Sequence, residues 1–204
     1  MMMTEEKRAF FNQIAPAWDS MQPSGPQITS GIRNFVQCSY ANNAKTILDV
    51  GCGTGILVPH LLTAYTAVEL IVELDFAEEM LAMNRAKHTD QRLVRLVGDA
   101  MHLPLPDESM DAVLCFNVAP HLGNSEPAFS DLLRVLARGG MLAIGHLMSS
   151  SELNQFHRSL QSPVAHDRLP PAKELGGIFA DLGAVNVMTQ EQPSWYFIRA
   201  EKAR

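Results

Sequence analysis

Ile47-Leu48-Asp49-Val50-Gly51-Cys52-Gly53-Thr54-Gly55-Ile56-Leu57 is the stretch around which the rest of the chain is read. It opens with a short apolar run of the length and character of a buried parallel strand. Three glycines at alternate positions follow, and then the apolar pattern of a helix. Strand, glycine-rich turn and helix make the first half of a nucleotide-binding βαβ unit. Glycines there let the backbone turn tightly and let a ligand approach with no Cβ in the way. A dinucleotide fingerprint, G-x-G-x-x-G, would need its last glycine at position 56, where this chain has Ile56. The spacing present is Gly51-x-Gly53-x-Gly55, preceded by Asp49.

Working outward, residues 56–64 read as the first crossover helix and 68–75 as the second strand. Asp75 stands 20 residues beyond Gly55, at the strand's end, where an acid can accept from both hydroxyls of a ribose. Glu73 is a competing acid, but its place in the strand points it along the sheet rather than off its end. A third strand at 91–98 ends at Gly98-Asp99-Ala100, and a loop over 103–111 leads to a fourth strand at 112–116. That strand ends at Asn117-Val118-Ala119-Pro120-His121. A helix at 128–137 carries Phe129, Leu132, Leu133 and Leu136 on one face, and Arg138-Gly139-Gly140 is expected to stop it and start a fifth strand over 141–146.

The glycine stretch resembles the first motif of the class I S-adenosylmethionine-dependent methyltransferases, whose usual form reads (V/I)LD(V/I)GCGTG. By that resemblance the turn of Gly51, Cys52, Gly53 and Gly55 faces the amino-acid end of the cofactor, and Asp49 sits close to its ammonium group. Phe76-Ala77-Glu78-Glu79-Met80-Leu81 resembles the family segment after the ribose-binding acid, which adds Phe76 and Met80 to the expected cofactor contacts. Gly98-Asp99-Ala100 resembles the family's G-D-A, whose Asp accepts from the adenine amino group while the next N–H meets a ring nitrogen. Leu103 to Asp111 resembles L-P-F-x-D-x-S-F-D, and Leu132 to Leu142 resembles L-x-R-V-L-K-P-G-G-x-L. The resemblance covers roughly residues 45–148 by motif. It implies an α/β fold: a doubly wound, mostly parallel seven-stranded sheet in the order 3-2-1-4-5-7-6, its last strand antiparallel, with helices on both faces.

The flanking segments fit that plan. Residues 4–18 read as a helix with Phe10, Phe11, Ile14 and Trp18 in one stripe, Thr4 as its N-cap and Pro16 breaking it. It is read either as a helix packed on the core or as a flap over the cofactor, a place where the family often puts its N-terminal segment. Residues 21–31 read as a loop, and Ile32, Phe35 and Val36 as part of a second helix. Ser149 to Glu152 starts a capped helix with Leu153, Phe156 and Leu160 as its apolar stripe. A last helix at 173–182 and strands at 184–190 and 195–201 close the sheet. The expected organisation is one domain over 1–204: a helical flap at 1–43, a cofactor-binding core at 44–148, and a substrate-side insertion with closing hairpin at 149–204.

A chain of 204 residues with formal net charge −6 and no Lys/Arg run is a poor match to nucleic acid, which needs clustered cations. Cys38, Cys52 and Cys115 are scattered, with no C-x-x-C pair, which favours free thiols in a reducing cytoplasm over a disulfide framework or a metal knuckle. No apolar run reaches the length of a membrane span. The fourth strand lacks the (N/D)-P-P-(Y/F) of methyltransferases that act on base or glutamine nitrogens, and Asn117 instead begins an N-x-x-x-H. The expected acceptor is therefore a small molecule, with no metal. The alternatives are a protein or RNA acceptor reached through a partner, and a protein that binds the cofactor without catalysis. His121 and His146 both fall at strand ends on the acceptor side. Either could deprotonate an acceptor, and His146 is the preferred candidate because the fifth strand ends on it. Nothing in the sequence fixes an oligomeric state.

Overall fold

A computed structural model describes residues 5–122 and 126–204. Thr4, the expected N-cap, lies outside the described residues. The first helical stripe is split where Pro16 falls: α1 spans Glu5–Ile14, a 3-10 turn Ala15–Ala17, and α2 Trp18–Met21. Pro26 then begins α3 (Pro26–Cys38), where its missing N–H costs nothing. The alternating core unit follows: β1 (Thr46–Val50), α4 (Val58–Ala64), β2 (Leu70–Asp75), α5 (Glu78–Lys87), β3 (Leu93–Val97) and β4 (Met110–Phe116). After β4 come α6 (Ala119–Leu122), α7 (Glu126–Val135), β5 (Leu136–His146), α8 (Ser150–Ser159), α9 (Ala172–Asp181), β6 (Ala184–Gln192) and β7 (Trp195–Lys202).

The seven strands form one sheet in the order β3-β2-β1-β4-β5-β7-β6. β7 runs antiparallel to both β5 and β6, and the other pairings are parallel. The expected architecture is therefore present in full. Side-chain alternation divides the core between the two faces. Leu48, Val50, Val72, Leu74, Val113 and Cys115 pack with α7 and α9 on one side. Ile47, Ile71, Ala112 and Leu114 pack with α3 and α4 on the other. Crossovers leave β1 and β4 in opposite directions, so the crevice beyond their carboxyl ends is the place for a ligand. Asp111, at the start of β4, fixes the opposite edge: its Oδ2 accepts from the backbone N–H of Lys45 at 2.8 Å and of Thr46 at 2.9 Å.

Three elements differ from the sequence reading, the first being α3, which begins at Pro26 inside the stretch 21–31 read as a loop. β5 begins at Leu136 rather than 141, because Met110 pairs with Leu136 before a register shift and the ladder resumes at Ala112–Met141. Arg138-Gly139-Gly140 is thus an irregularity inside the strand, with Gly139 at φ +74°, and not its boundary. The expected capping box at α8 is present, Ser149 accepting from the Glu152 N–H while Glu152 Oε2 accepts from the Ser149 N–H. The stripe below it is turned, however. Leu153 packs on the core and Leu160 on the N-terminal helices, while Phe156 is 47% exposed and His157 is buried. The His157 imidazole is drawn inward by a hydrogen bond, described below, that Phe156 could not make.

Candidate active site

Gly51, Gly53 and Gly55 all take left-handed φ angles, of +65°, +55° and +87°. At Gly51 the requirement is double, since a Cβ there would also stand 2.3 Å from Val118 Cγ2, just past the end of β4. The turn is held against β2 by the Gly51 and Cys52 N–H groups, which donate to the Leu74 carbonyl at 2.8 and 3.0 Å. The next N–H, of Gly53, donates to Asp75 Oδ2 at 2.9 Å, and Asp75 Oδ1 accepts from Ala77 at the entry to α5. Burial pushes the Asp75 carboxyl up to about 6, and these two N–H bonds oppose the rise. Each of its oxygens keeps a second lone pair, so the carboxylate can still accept from a diol.

Asp49 is buried at the end of β1, with Oδ2 lacking any hydrogen-bond partner. Desolvation, reinforced by Glu73 and Asp75, pushes its carboxyl well above the usual range. An unpartnered buried carboxylate oxygen beside a glycine turn suits a cationic ligand group, and it fits the ammonium of S-adenosylmethionine. Glu73 pairs with Asp49 across the β1–β2 ladder and is fully buried. It accepts from Asn84 Nδ2 at 2.8 Å, and burial pushes it up to about 7. It joins Asp49 as a second buried acid beneath the turn. Two-residue alternation from Asp75 could have shown that neighbourhood.

The remaining expected contacts gather at the same edge. Gly98 donates to the Asp75 carbonyl at 3.0 Å, which brings Asp99 and Ala100 beside the end of β2, and Asp99 Oδ1 accepts from the Met101 N–H at 2.9 Å. Asn117 is exposed at φ +58°, its N–H donating to the Gly145 carbonyl at 2.9 Å across to β5. Phe76 and Met80 meet the N-terminal helices. Met80 is buried with Phe11, Ala15, Ala77 and Val164, and Phe76 stands edge-on to Phe11. Those helices lie over the glycine turn: Trp18 Nε1 is 3.8 Å from where a Gly53 Cβ would stand. Asp19 accepts from Thr54 Oγ1 at 2.6 Å and pairs with Lys87 at 2.7 Å.

On the acceptor side the two expected histidines part company. His146 is buried, with Nε2 unpartnered and its ring edge-on to Tyr196. Burial pushes its imidazole down to about 3, and His121 and His157 add to that, so it does not hold a proton near neutral pH. Ending β5 on His146, the candidate the sequence preferred, places it inside the fold. His121, on α6, instead has Nδ1 2.7 Å from Asp167 Oδ2 and stacks on His157 with ring centres 5.6 Å apart. His157 Nδ1 donates to the Asp167 carbonyl at 2.9 Å, and Lys7 of α1 forms an ion pair with Asp167 Oδ1. Asp167 and Lys7 carried no motif, and only the folded chain brings them together. Among the described residues no group of three or more His, Cys, Asp and Glu side chains is placed to hold a metal ion. No described helix is long and apolar enough to cross a membrane.

A seven-stranded sheet of this order, with a glycine turn and three acids at the carboxyl ends of β1, β2 and β3, defines a Rossmann-like cofactor-binding fold. Residues 48–144 match the family described as "Methyltransferase domain". The chain is 28% identical over 190 residues to a ubiquinone/menaquinone biosynthesis C-methyltransferase of Geobacter sulfurreducens, covering 88% of this chain and 71% of the relative. It is 36% identical over 138 residues to a demethylmenaquinone methyltransferase of Thermus thermophilus, covering 66% of this chain and 62% of the relative. Among solved structures, one from the complex between the Haloferax volcanii Trm112 methyltransferase activator and a methyltransferase shares the fold. Its TM-score is 0.75 at 16% identity, over 95% of this chain and 98% of that one. The chain thus carries a methyltransferase domain, and its fold is that of the class I S-adenosylmethionine-dependent methyltransferases.

Proposed function

We propose that the chain transfers a methyl group from S-adenosylmethionine to a small-molecule acceptor held between α1, α6 and the end of β5. The observation that carries this reading is the buried, unpartnered Oδ2 of Asp49 at the glycine turn. When bound, S-adenosylmethionine supplies an electrophilic methyl on its sulfonium. Asp49 would face the cofactor's ammonium, Asp75 its ribose hydroxyls and Asp99 its adenine amino group, with Gly51 to Gly55 giving close backbone approach and Cys52, Phe76, Met80, Ala100 and Asn117 bordering the site. The N-terminal helices exclude water from the reacting centre and help to hold the acceptor in line. In this reading His121 rather than His146 would take a proton from an acceptor that carries one.

A small acceptor is favoured by the names of the two relatives, both for methylation in quinone biosynthesis, and by the acidic charge of the chain. Residues 1–204 are read as one unit, with flap, core and closing hairpin serving a single site, and the free cysteines fit a cytoplasmic setting. Titration calorimetry with S-adenosylhomocysteine, followed by product release across a panel of small aromatic acceptors, tests the reading. Binding that Asp49→Asn weakens, with turnover on at least one small acceptor, supports it. Absence of binding by the wild-type chain, or turnover only with a co-purified macromolecular partner, sinks it.

A further inference from the structure

We propose that Asp167 is at once a positioning residue for His121 and the latch of the α1 lid, so that closing the lid and setting the proton-accepting nitrogen of His121 are one event. The inference deepens the function proposed above and rests on it for its catalytic meaning. The geometry is independent of it. The two carboxylate oxygens of Asp167 are divided between partners from distant parts of the chain: Oδ2 faces His121 Nδ1 at 2.7 Å, and Oδ1 faces Lys7 Nζ. All three side chains are largely withdrawn from water, at 10%, 14% and 13% exposure for Asp167, His121 and Lys7. Although burial pushes the Asp167 carboxyl up, the hydrogen bonds from His121 and Lys7 outweigh it and keep the group below the usual carboxylate range.

The loop that carries Asp167 is itself fixed. Its N–H donates to the Val164 carbonyl at 3.0 Å, its carbonyl accepts from His157, and Leu169 donates to Asn154 at 2.8 Å. The carboxylate is therefore a fixed point to which α6 and α1 are both tied. The lid touches both members of the pair, because Phe11, one turn from Lys7 on α1, stands edge-on to His121 at 5.4 Å. A neutral imidazole whose Nδ1–H points at a carboxylate keeps its lone pair on Nε2, the nitrogen that can then accept a proton. The charged and titratable groups around His121 are Asp167 on its loop, Lys7 on α1, His157 on α8, His146 on β5 and Asp75 on β2.

The test uses the full chain, ¹⁵N-labelled at histidine, without cofactor or acceptor. Long-range ¹H–¹⁵N spectra should show His121 as the Nδ1–H tautomer in the wild type, lose that preference in Asp167→Asn and recover it in part in Asp167→Glu. Hydrogen exchange over residues 5–21 should rise about tenfold in Lys7→Met and in Asp167→Asn, and rise no further in the double variant. Ring shifts of His121 in Asp167→Asn that superpose on the wild type, or lid exchange that adds in the double variant, would overturn the proposal. A chain that passes both tests and fails to bind S-adenosylhomocysteine supports this linkage and removes the proposed function. With an acceptor in hand, Asp167→Asn should lower kcat at least tenfold with KM for S-adenosylmethionine within twofold. A rise in KM with kcat unchanged overturns the positioning role.

Discussion

With Asp49 Oδ2 buried and unpartnered, folding strains a group that cofactor binding would satisfy. Asp49→Asn keeps the shape and cannot ionise, so two effects of opposite sign are expected. Affinity for S-adenosylhomocysteine should fall tenfold or more, while the stability of the free protein rises relative to wild type as pH increases. The sign follows from the raised carboxyl: above about 4 the unfolded chain has lost this proton and the folded chain still holds it, so this group makes stability decline with rising pH, a contribution the variant lacks. Calorimetry and thermal melts between pH 4 and 8 would read both, and a variant that binds normally takes Asp49 out of the site. Asp75→Ala should weaken binding by about 1.5–3 kcal/mol for each hydrogen bond lost to the diol. Gly51→Ala should destabilise by roughly 1–3 kcal/mol or more, because alanine at φ +65° is strained and its Cβ meets Val118.

At the scale of elements, α1 and α2 are the proposed lid. Trp18 overlies Gly53, and Asp19 ties the segment to Thr54 and Lys87, so a ligand bound on the turn would change the surroundings of that indole. The chain has two tryptophans, Trp18 and Trp195, and Trp195 packs against Phe197 on β7. Emission should therefore respond to S-adenosylhomocysteine in Trp195→Phe and lose the response in Trp18→Phe, while amides over residues 5–21 exchange more slowly with ligand bound. An equal response in both variants would place the lid elsewhere. The motif-bearing core was legible in the sequence because its informative residues sit at strand ends, where local pattern alone dictates the backbone. Gly51, Asp75, Gly98-Asp99 and Asn117 all fell where expected. The face of α8 was not legible: an apolar stripe favoured Phe156, and a hydrogen bond from His157 to a loop ten residues away turned the helix. The start of β5 was missed for a similar reason, since only pairing with Met110 extends the strand below Gly139. Lys7 and Asp167, 160 residues apart, meet through the fold and through no local signal.

Across the whole molecule the sheet concentrates buried titratable groups along one edge, and their pH responses oppose one another. Glu73 sits fully buried under the glycine turn and holds its proton up to about 7, against 4.5 for an ordinary glutamate. Between those values the folded chain binds more protons than the unfolded one, so this group makes stability fall as pH rises. Asp75 does the same between 3.8 and about 6. His146 acts the other way. Its imidazole is pushed from 6.5 down to about 3, so over that window the unfolded chain binds more protons and stability falls as pH drops. The two effects overlap between about 4.5 and 6.5, where His146 offsets part of the decline that the buried acids impose. Glu73→Gln can still accept from Asn84 and cannot titrate, so it should remove one of the declining contributions that oppose His146. The difference between its melting temperature and that of the wild type should climb with pH over that range and become a constant margin above pH 7. Melts at half-unit intervals from pH 4 to 8 would decide it, and parallel curves for the two proteins would mean that Glu73 is ionised in the fold and that Asn84, Cys52 and Arg95 stabilise its charge after all.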